Sequence, residues 1–163
     1  MLRLLFILGI FLFPVLVFAS GLPKADLVVV HKSKRTMSLL RNGEPLREYL
    51  VSLGENPDGH KIQEGDKRTP EGEYLLDWRR VSTQYHRSIH ISYPNDEDRE
   101  QALALGVDPG GMIMIHGIPR RYNRVADVLK QRDWTNGCIA VSNDEMNEIW
   151  NLVEDGTPIR IVP

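Results

Sequence analysis

The chain has 163 residues, with 20 Lys plus Arg against 22 Asp plus Glu, so its formal charge is −2. Hydrophobic residues make up 42% and charged residues 26%, which excludes a disordered or collagen-like chain and fits one globular domain. The near-neutral balance carries no basic footprint for nucleic acid, and the lone Cys138 excludes an internal disulfide or a multi-thiolate zinc site.

In residues 1–19 one basic residue, Arg3, precedes an apolar run from Leu4 to Phe18, and Val17 and Ala19 occupy small-residue cleavage positions. That layout predicts a secretory signal peptide, with Ser20 the first mature residue, residues 20–163 the functional domain, and an exported or periplasmic destination. The run is shorter than the roughly 20 apolar residues of a spanning helix and is broken by Pro14, so no stable membrane insertion is expected after cleavage. Outside the cytosol an unpaired thiol is either buried and inert or kept for chemistry.

Residues 25–31 are short and β-branched and read as a strand. Residues 36–40 and 48–53 read as strands around Asn42-Gly43, a strong hairpin signal. Glycine and proline punctuate residues 54–73, a long surface loop. Strands follow at 73–78 and 88–92. A helix is expected over 96–105, capped by Asn95 and stopped by Gly106. An apolar strand is expected over 112–116, a short helix over 125–131 and a buried strand over 138–141. Ser142 and Glu145 have capping-box spacing and open a helix near 143–153, which Gly156 stops before a last strand at 158–162. These elements predict a mainly β fold with helical decoration, in one domain without repeats.

Two segments carry chemistry. Met112–Gly117 is an apolar strand ending in His116-Gly117, and Trp134–Ser142 is a polar turn that delivers Cys138 onto a strand. A free thiol is only about 3% ionised at neutral pH, and a neighbouring histidine that takes its proton makes it a nucleophile. Gly137 allows close approach of backbone to a substrate carbonyl, and the amides of Asn136, Gly137 and Cys138 suit an oxyanion hole. One Cys and one His at this separation also occur as buried core groups. His86 and His90 share an i, i+4 spacing, but their strand-like surroundings and the absence of a carboxylate–histidine motif argue against a metal site. His31 and His60 read as surface or loop residues. Trp134 reads as support for the turn or as ordinary packing, and Trp150 as the core face of its helix.

The whole pattern is more specific than the pair. His116-Gly117 followed by Thr135-Asn136-Gly137-Cys138-Ile139 resembles the signature of the YkuD-type L,D-transpeptidases. Thr69-Pro70-Glu71-Gly72-Glu73-Tyr74 resembles the Thr-Pro-x-Gly-x-Tyr/Phe segment of that family, and Ile91-Ser92-Tyr93-Pro94-Asn95 is also similar to it. The resemblance covers about residues 25–162 with its motifs in family order. It implies a YkuD-like, β-sandwich-like catalytic domain and acyl transfer on peptidoglycan peptide stems. Cys138 is then the nucleophile, His116 the general base, and Thr135, Asn136, Gly137 and Gly117 the supporting motif. It implies no metal and no organic cofactor, and a monomer is the default.

Many members carry arginine two residues after the cysteine, where this chain has Ala140. Tyr85 lies where members present aromatic residues near the cleft. Arg120, Arg121 and Arg124 are candidates for a carboxylate contact or plain solvated loop charges. The acceptor stays open among a second stem, water, a free D-amino acid and a lipoprotein. The same site therefore also fits an L,D-carboxypeptidase or amidase, and a non-catalytic wall-binding module remains the alternative of a different class.

Overall fold

The structure, a computed structural model, describes residues 23–130 and 132–163; the side chains of Arg120, Asn123 and Asp127 fall outside that description, as does the expected signal segment. Eight strands form one sheet in the order β3-β2-β1-β8-β4-β5-β6-β7. They are β1 (Leu27–His31), β2 (Thr36–Arg41), β3 (Glu44–Leu50), β4 (Gly72–Ser82), β5 (His86–Ile91), β6 (Met114–Gly117), β7 (Ile139–Val141) and β8 (Thr157–Val162). The β1–β8 and β6–β7 pairs are parallel and the remaining pairs antiparallel. Val28, Val30, Met37, Leu39, Leu76, Ile89, Ile115, Ile139 and Ile161 converge from nearly every strand on a single buried core.

The sheet curls until its two edges almost meet. Beyond β3 the chain turns inward, and Ser52 exchanges both backbone hydrogen bonds with Ala140 of β7, at 2.9 and 2.8 Å. A second bridge joins Gly54 to Thr135. The mainly β, β-sandwich-like domain expected from the resemblance is built as one strongly curved sheet, nearly closed around the core.

Local signals account for most elements. Asn42 and Gly43 both have positive φ, 52° and 81°, the left-handed pair that a two-residue hairpin turn requires. Helix α1 (Asp96–Leu105) opens on an Asn95–Asp98 capping box and ends on Gly106 in the left-handed conformation. Helix α3 (Asn143–Leu152) opens on the Ser142–Glu145 capping box and buries Met146, Ile149 and Leu152 against β5 and β6. Between β6 and β7 run a 3-10 turn (Arg120–Val125) and the short helix α2 (Ala126–Leu129).

Several boundaries differ from expectation. β3 starts at Glu44 rather than 48 because it is an exposed edge strand whose charged residues hide its pairing from hydropathy. Residues 51–53 leave the ladder instead of ending it. β4 continues through Arg80 to Ser82, where its hairpin with β5 stands in solvent. β6 begins only at Met114 because Met112, at φ 57°, breaks the extended chain. β7 begins one residue after Cys138. The expected 125–131 helix is shorter, and its last residue lies outside the described set.

A bulge in β4 matters for the site. Leu76 pairs with Ile91, but Arg79 pairs with Ile89, so β4 carries one residue more than β5 across that interval. An inserted residue reverses which face the later side chains occupy. Arg80 consequently leaves the core face of Tyr74 and Leu76 and joins a rung that runs Arg80–Ser88–His116–Ala140 across β4, β5, β6 and β7.

Candidate active site

The two sequence segments meet. His116 pairs with Ala140 across parallel strands, and Cys138 precedes Ala140 by two residues, which brings the thiol back to the same face. His116 and Cys138 line one cavity of about 250 Å3. The sulfur lies 3.7 Å from the carbonyl oxygen of Met112.

The histidine is held in one orientation. Its Nδ1 lies 2.8 Å from the Gly117 carbonyl oxygen, which can only accept, so Nδ1 carries the proton and Nε2 keeps its lone pair. Burial pushes the imidazole below its ordinary pKa against a smaller upward pull from that carbonyl, so the ring is neutral at neutral pH. Burial also raises the Cys138 thiol, partly offset by the Met114 backbone and the Lys61 charge. Both shifts disfavour a resting thiolate–imidazolium pair.

The turn carrying the thiol is tied from inside. Thr135 Oγ1 donates to the Cys138 carbonyl at 2.7 Å and accepts from the Gly137 amide at 3.1 Å. The Gly137 amide, expected in an oxyanion hole, is therefore committed to Thr135. Among the described residues no protein acceptor takes the Asn136 or Cys138 amides. Gly137 has φ 124°, and a Cβ there would lie 2.6 Å from the Arg68 carbonyl oxygen. At Gly117 a Cβ would collide with Asn143 Oδ1 and crowd His86 and Tyr85, so the glycine after the histidine lets the β4–β5 turn and the start of α3 close over β6.

The long loop that abuts this turn is pinned by two buried lysines. Lys32 Nζ donates to Gly59 O, Thr69 O and Glu71 Oε1 at 2.6, 2.9 and 2.8 Å. Lys61 Nζ donates to Gln63 O and Asp66 Oδ1 at 3.0 and 2.9 Å. His60 is a strut of this loop: its Nδ1 accepts from the Glu71 amide and its Nε2 lies 3.0 Å from Asp98.

Aromatic rings frame the imidazole. Tyr85, in the β4–β5 turn, lies 4.9 Å from the His116 ring, and Trp134 meets it edge-on at 5.9 Å; both line the cavity. Trp134 thus borders the site rather than serving only as packing. Trp150 lies against the core and takes Arg79 and Arg87 on its ring. His86 bonds Asn147, and His90 bonds Asp77 and stacks on Trp78. Among the described residues no group of three or more His, Cys, Asp or Glu is placed to hold a metal ion, and no helix is long and apolar enough to cross a membrane.

Of the arginines singled out in the 3-10 turn, Arg121 is exposed and stacks on Tyr122 rather than lining the cavity. Arg120 belongs to the turn by its backbone alone. The cavity instead contains Arg80, with Ser88, Met112 and Met114, none of which the sequence singled out as functional. Only the β4 bulge, a feature of pairing rather than of composition, distinguishes Arg80.

A cysteine and a carbonyl-anchored histidine thus line one cleft of a nearly closed sheet. Residues 25–161 match the family model of the YkuD L,D-transpeptidase catalytic domain, and the chain belongs to that family. The Bacillus subtilis protein YqjB, named for the same family, is 25% identical over 146 residues, covering 87% of this chain and 74% of its own. Among solved structures, Bd1075 of Bdellovibrio bacteriovorus is 25% identical with a TM-score of 0.60, over 88% of this chain and 49% of that one. The cell-shape-determining Pgp2 of Campylobacter jejuni is 24% identical with a TM-score of 0.65, over 83% of this chain and 46% of that one. The chain spans about half the length of those two solved proteins.

Proposed function

We propose that this protein is an exported peptidoglycan L,D-transpeptidase that works through a Cys138 thioester. The carrying observation is that His116 and Cys138 share one cavity while Gly117 fixes Nδ1 as the protonated ring nitrogen, which leaves Nε2 as the base. In this reading the Cys138 sulfur attacks the carbonyl at the L-centre of meso-diaminopimelate in a tetrapeptide stem. His116 takes the thiol proton as the carbon–sulfur bond forms. The tetrahedral intermediate carries its charge on oxygen, where the Cys138 and Asn136 amides support it. Collapse breaks the carbon–nitrogen bond, His116 returns the proton to the departing amine, and D-alanine leaves. The side-chain amine of a second stem then attacks the thioester, loses a proton to His116 and regenerates the thiol, giving a 3–3 cross-link. Residues 1–19 serve as the export signal, and residues 20–163 as the catalytic domain.

Intact-protein mass spectrometry with a carbapenem tests the thiol chemistry: one covalent adduct is expected, absent in Cys138→Ala and slow to form in His116→Ala. Incubation with tetrapeptide stems, with and without an amine acceptor, then separates transfer from hydrolysis. Tripeptide alone as product refutes the transferase reading in favour of a carboxypeptidase. A folded protein with an accessible thiol and no adduct refutes acyl transfer and leaves a wall-binding module.

A further inference from the structure

Arg80 is the only formally charged side chain among the residues that line the cavity, apart from the titratable His116 and Cys138. Its neighbours on the same hairpin are engaged: Arg79 donates to Asp155, Trp150 O and Val153 O, and Arg87 lies over the Trp150 ring. Among the described residues no carboxylate pairs with Arg80. The β4 bulge places it on the rung of His116, and the far end of that rung is Ala140, which carries no charge. Three strand spacings, about 14 Å, separate the two positions, and the cavity lies between them. An unpaired guanidinium aimed at a nucleophilic site by a bulge matches a planar, bidentate anion.

We infer that Arg80 is the substrate-binding residue that receives a carboxylate of the acyl-donor stem. The inference rests on the acyl-transfer reading above. Of the three free carboxylates in such a donor, the two nearest the attacked carbonyl along the chain, that of the terminal D-alanine and that on the D-centre of diaminopimelate, are the proposed contacts. Their chemistry is shared, and amidation tells them apart.

The experiment measures kcat and KM for D-alanine or D-alaninamide release by the purified protein. Wild type, Arg80→Met and Arg80→Lys are compared on three donors: the free tetrapeptide stem, one amidated on the diaminopimelate carboxylate, and one ending in D-alaninamide. Alkylation of Cys138 by iodoacetamide, a neutral probe, serves as the control. Loss of a charge-assisted bond predicts that Arg80→Met lowers kcat/KM on the free stem roughly ten- to hundredfold, mainly through KM, while the alkylation rate stays within about twofold. Arg80→Lys recovers part of the loss. Amidation of the contacted carboxylate brings wild type down to the Arg80→Met level, and Arg80→Met shows no further loss on that stem. Equal activity of wild type and Arg80→Met, or the same loss on all three stems, overturns the inference alone. Slowed alkylation in Arg80→Met also overturns it, because the arginine then acts on the thiol rather than on the donor. A wild-type protein inert on every stem overturns the acyl-transfer reading and the inference together.

Discussion

Replacing Gly137 by alanine tests the geometry of the nucleophile turn most directly. The new Cβ lies 2.6 Å from the Arg68 carbonyl oxygen and 3.1 Å from Ile113 Cδ1, at a backbone φ of 124°. Backbone strain there costs about 1–3 kcal/mol, and forcing a methyl against a fixed carbonyl costs about 1–3 kcal/mol more. Gly43→Ala is the matched control, because φ is 81° but nothing lies within 4 Å of its Cβ. It carries only the left-handed cost, about 1–2 kcal/mol. With about 2–4 °C per kcal/mol for a domain of this size, Gly137→Ala is expected to melt roughly 5–20 °C below wild type, clearly lower than Gly43→Ala. A turn displaced by as little as 1 Å also misplaces the thiol, so carbapenem acylation is expected to slow by about 100-fold. Thermal unfolding by circular dichroism and acylation by intact mass read the two effects. Equal melting losses in both variants, with acylation untouched in Gly137→Ala, refute the close approach of the Arg68 carbonyl.

Thr135→Val removes a donor to the Cys138 carbonyl and an acceptor for the Gly137 amide. It is expected to destabilise by about 1–3 kcal/mol and to slow acylation, with Thr135→Ser restoring both; an unchanged urea midpoint sinks this account. Because burial raises the Cys138 thiol, iodoacetamide alkylation is expected to keep climbing above pH 9, and a plateau near pH 6–7 contradicts a neutral resting thiol. His116 has a folded pKa below its unfolded value near 6.5, so the unfolded chain binds the extra proton first. Its contribution to stability is therefore intact above pH 6.5 and lost as the pH falls below it. His116→Gln is expected to flatten that part of the stability curve, and a slope identical to wild type refutes the assignment.

What could be read from the chain follows the range of the forces involved. Asn95, Gly106, the Ser142–Glu145 box and Asn42-Gly43 act within four residues, and each produced the expected cap or turn. The His116-Gly117 and Thr135–Cys138 segments were legible because their chemistry is local too; that they share a cavity depends on β6 and β7 pairing in parallel at one register. The start of the edge strand β3 is hidden in sequence because Glu44, Pro45 and Arg47 carry no hydrophobic pattern, although their backbones pair with β2 across a bulge. In sequence Arg80 reads as one more charge in a solvated hairpin. Only the register shift between Leu76 and Arg79, a property of two strands together, gives it a position in the cleft.

The reciprocal bonds between Ser52 and Ala140 also tie the cleft to distant parts of the chain. The three-residue strand that follows the cysteine has β6 on one side and residue 52 on the other, and those partners are brought in by distant parts of the chain. Contacts of such long sequence separation cost loop-closure entropy and slow folding. The shared cavity of Cys138 and His116, in this architecture, is a property of the nearly closed sheet and depends on the seam that joins its two edges.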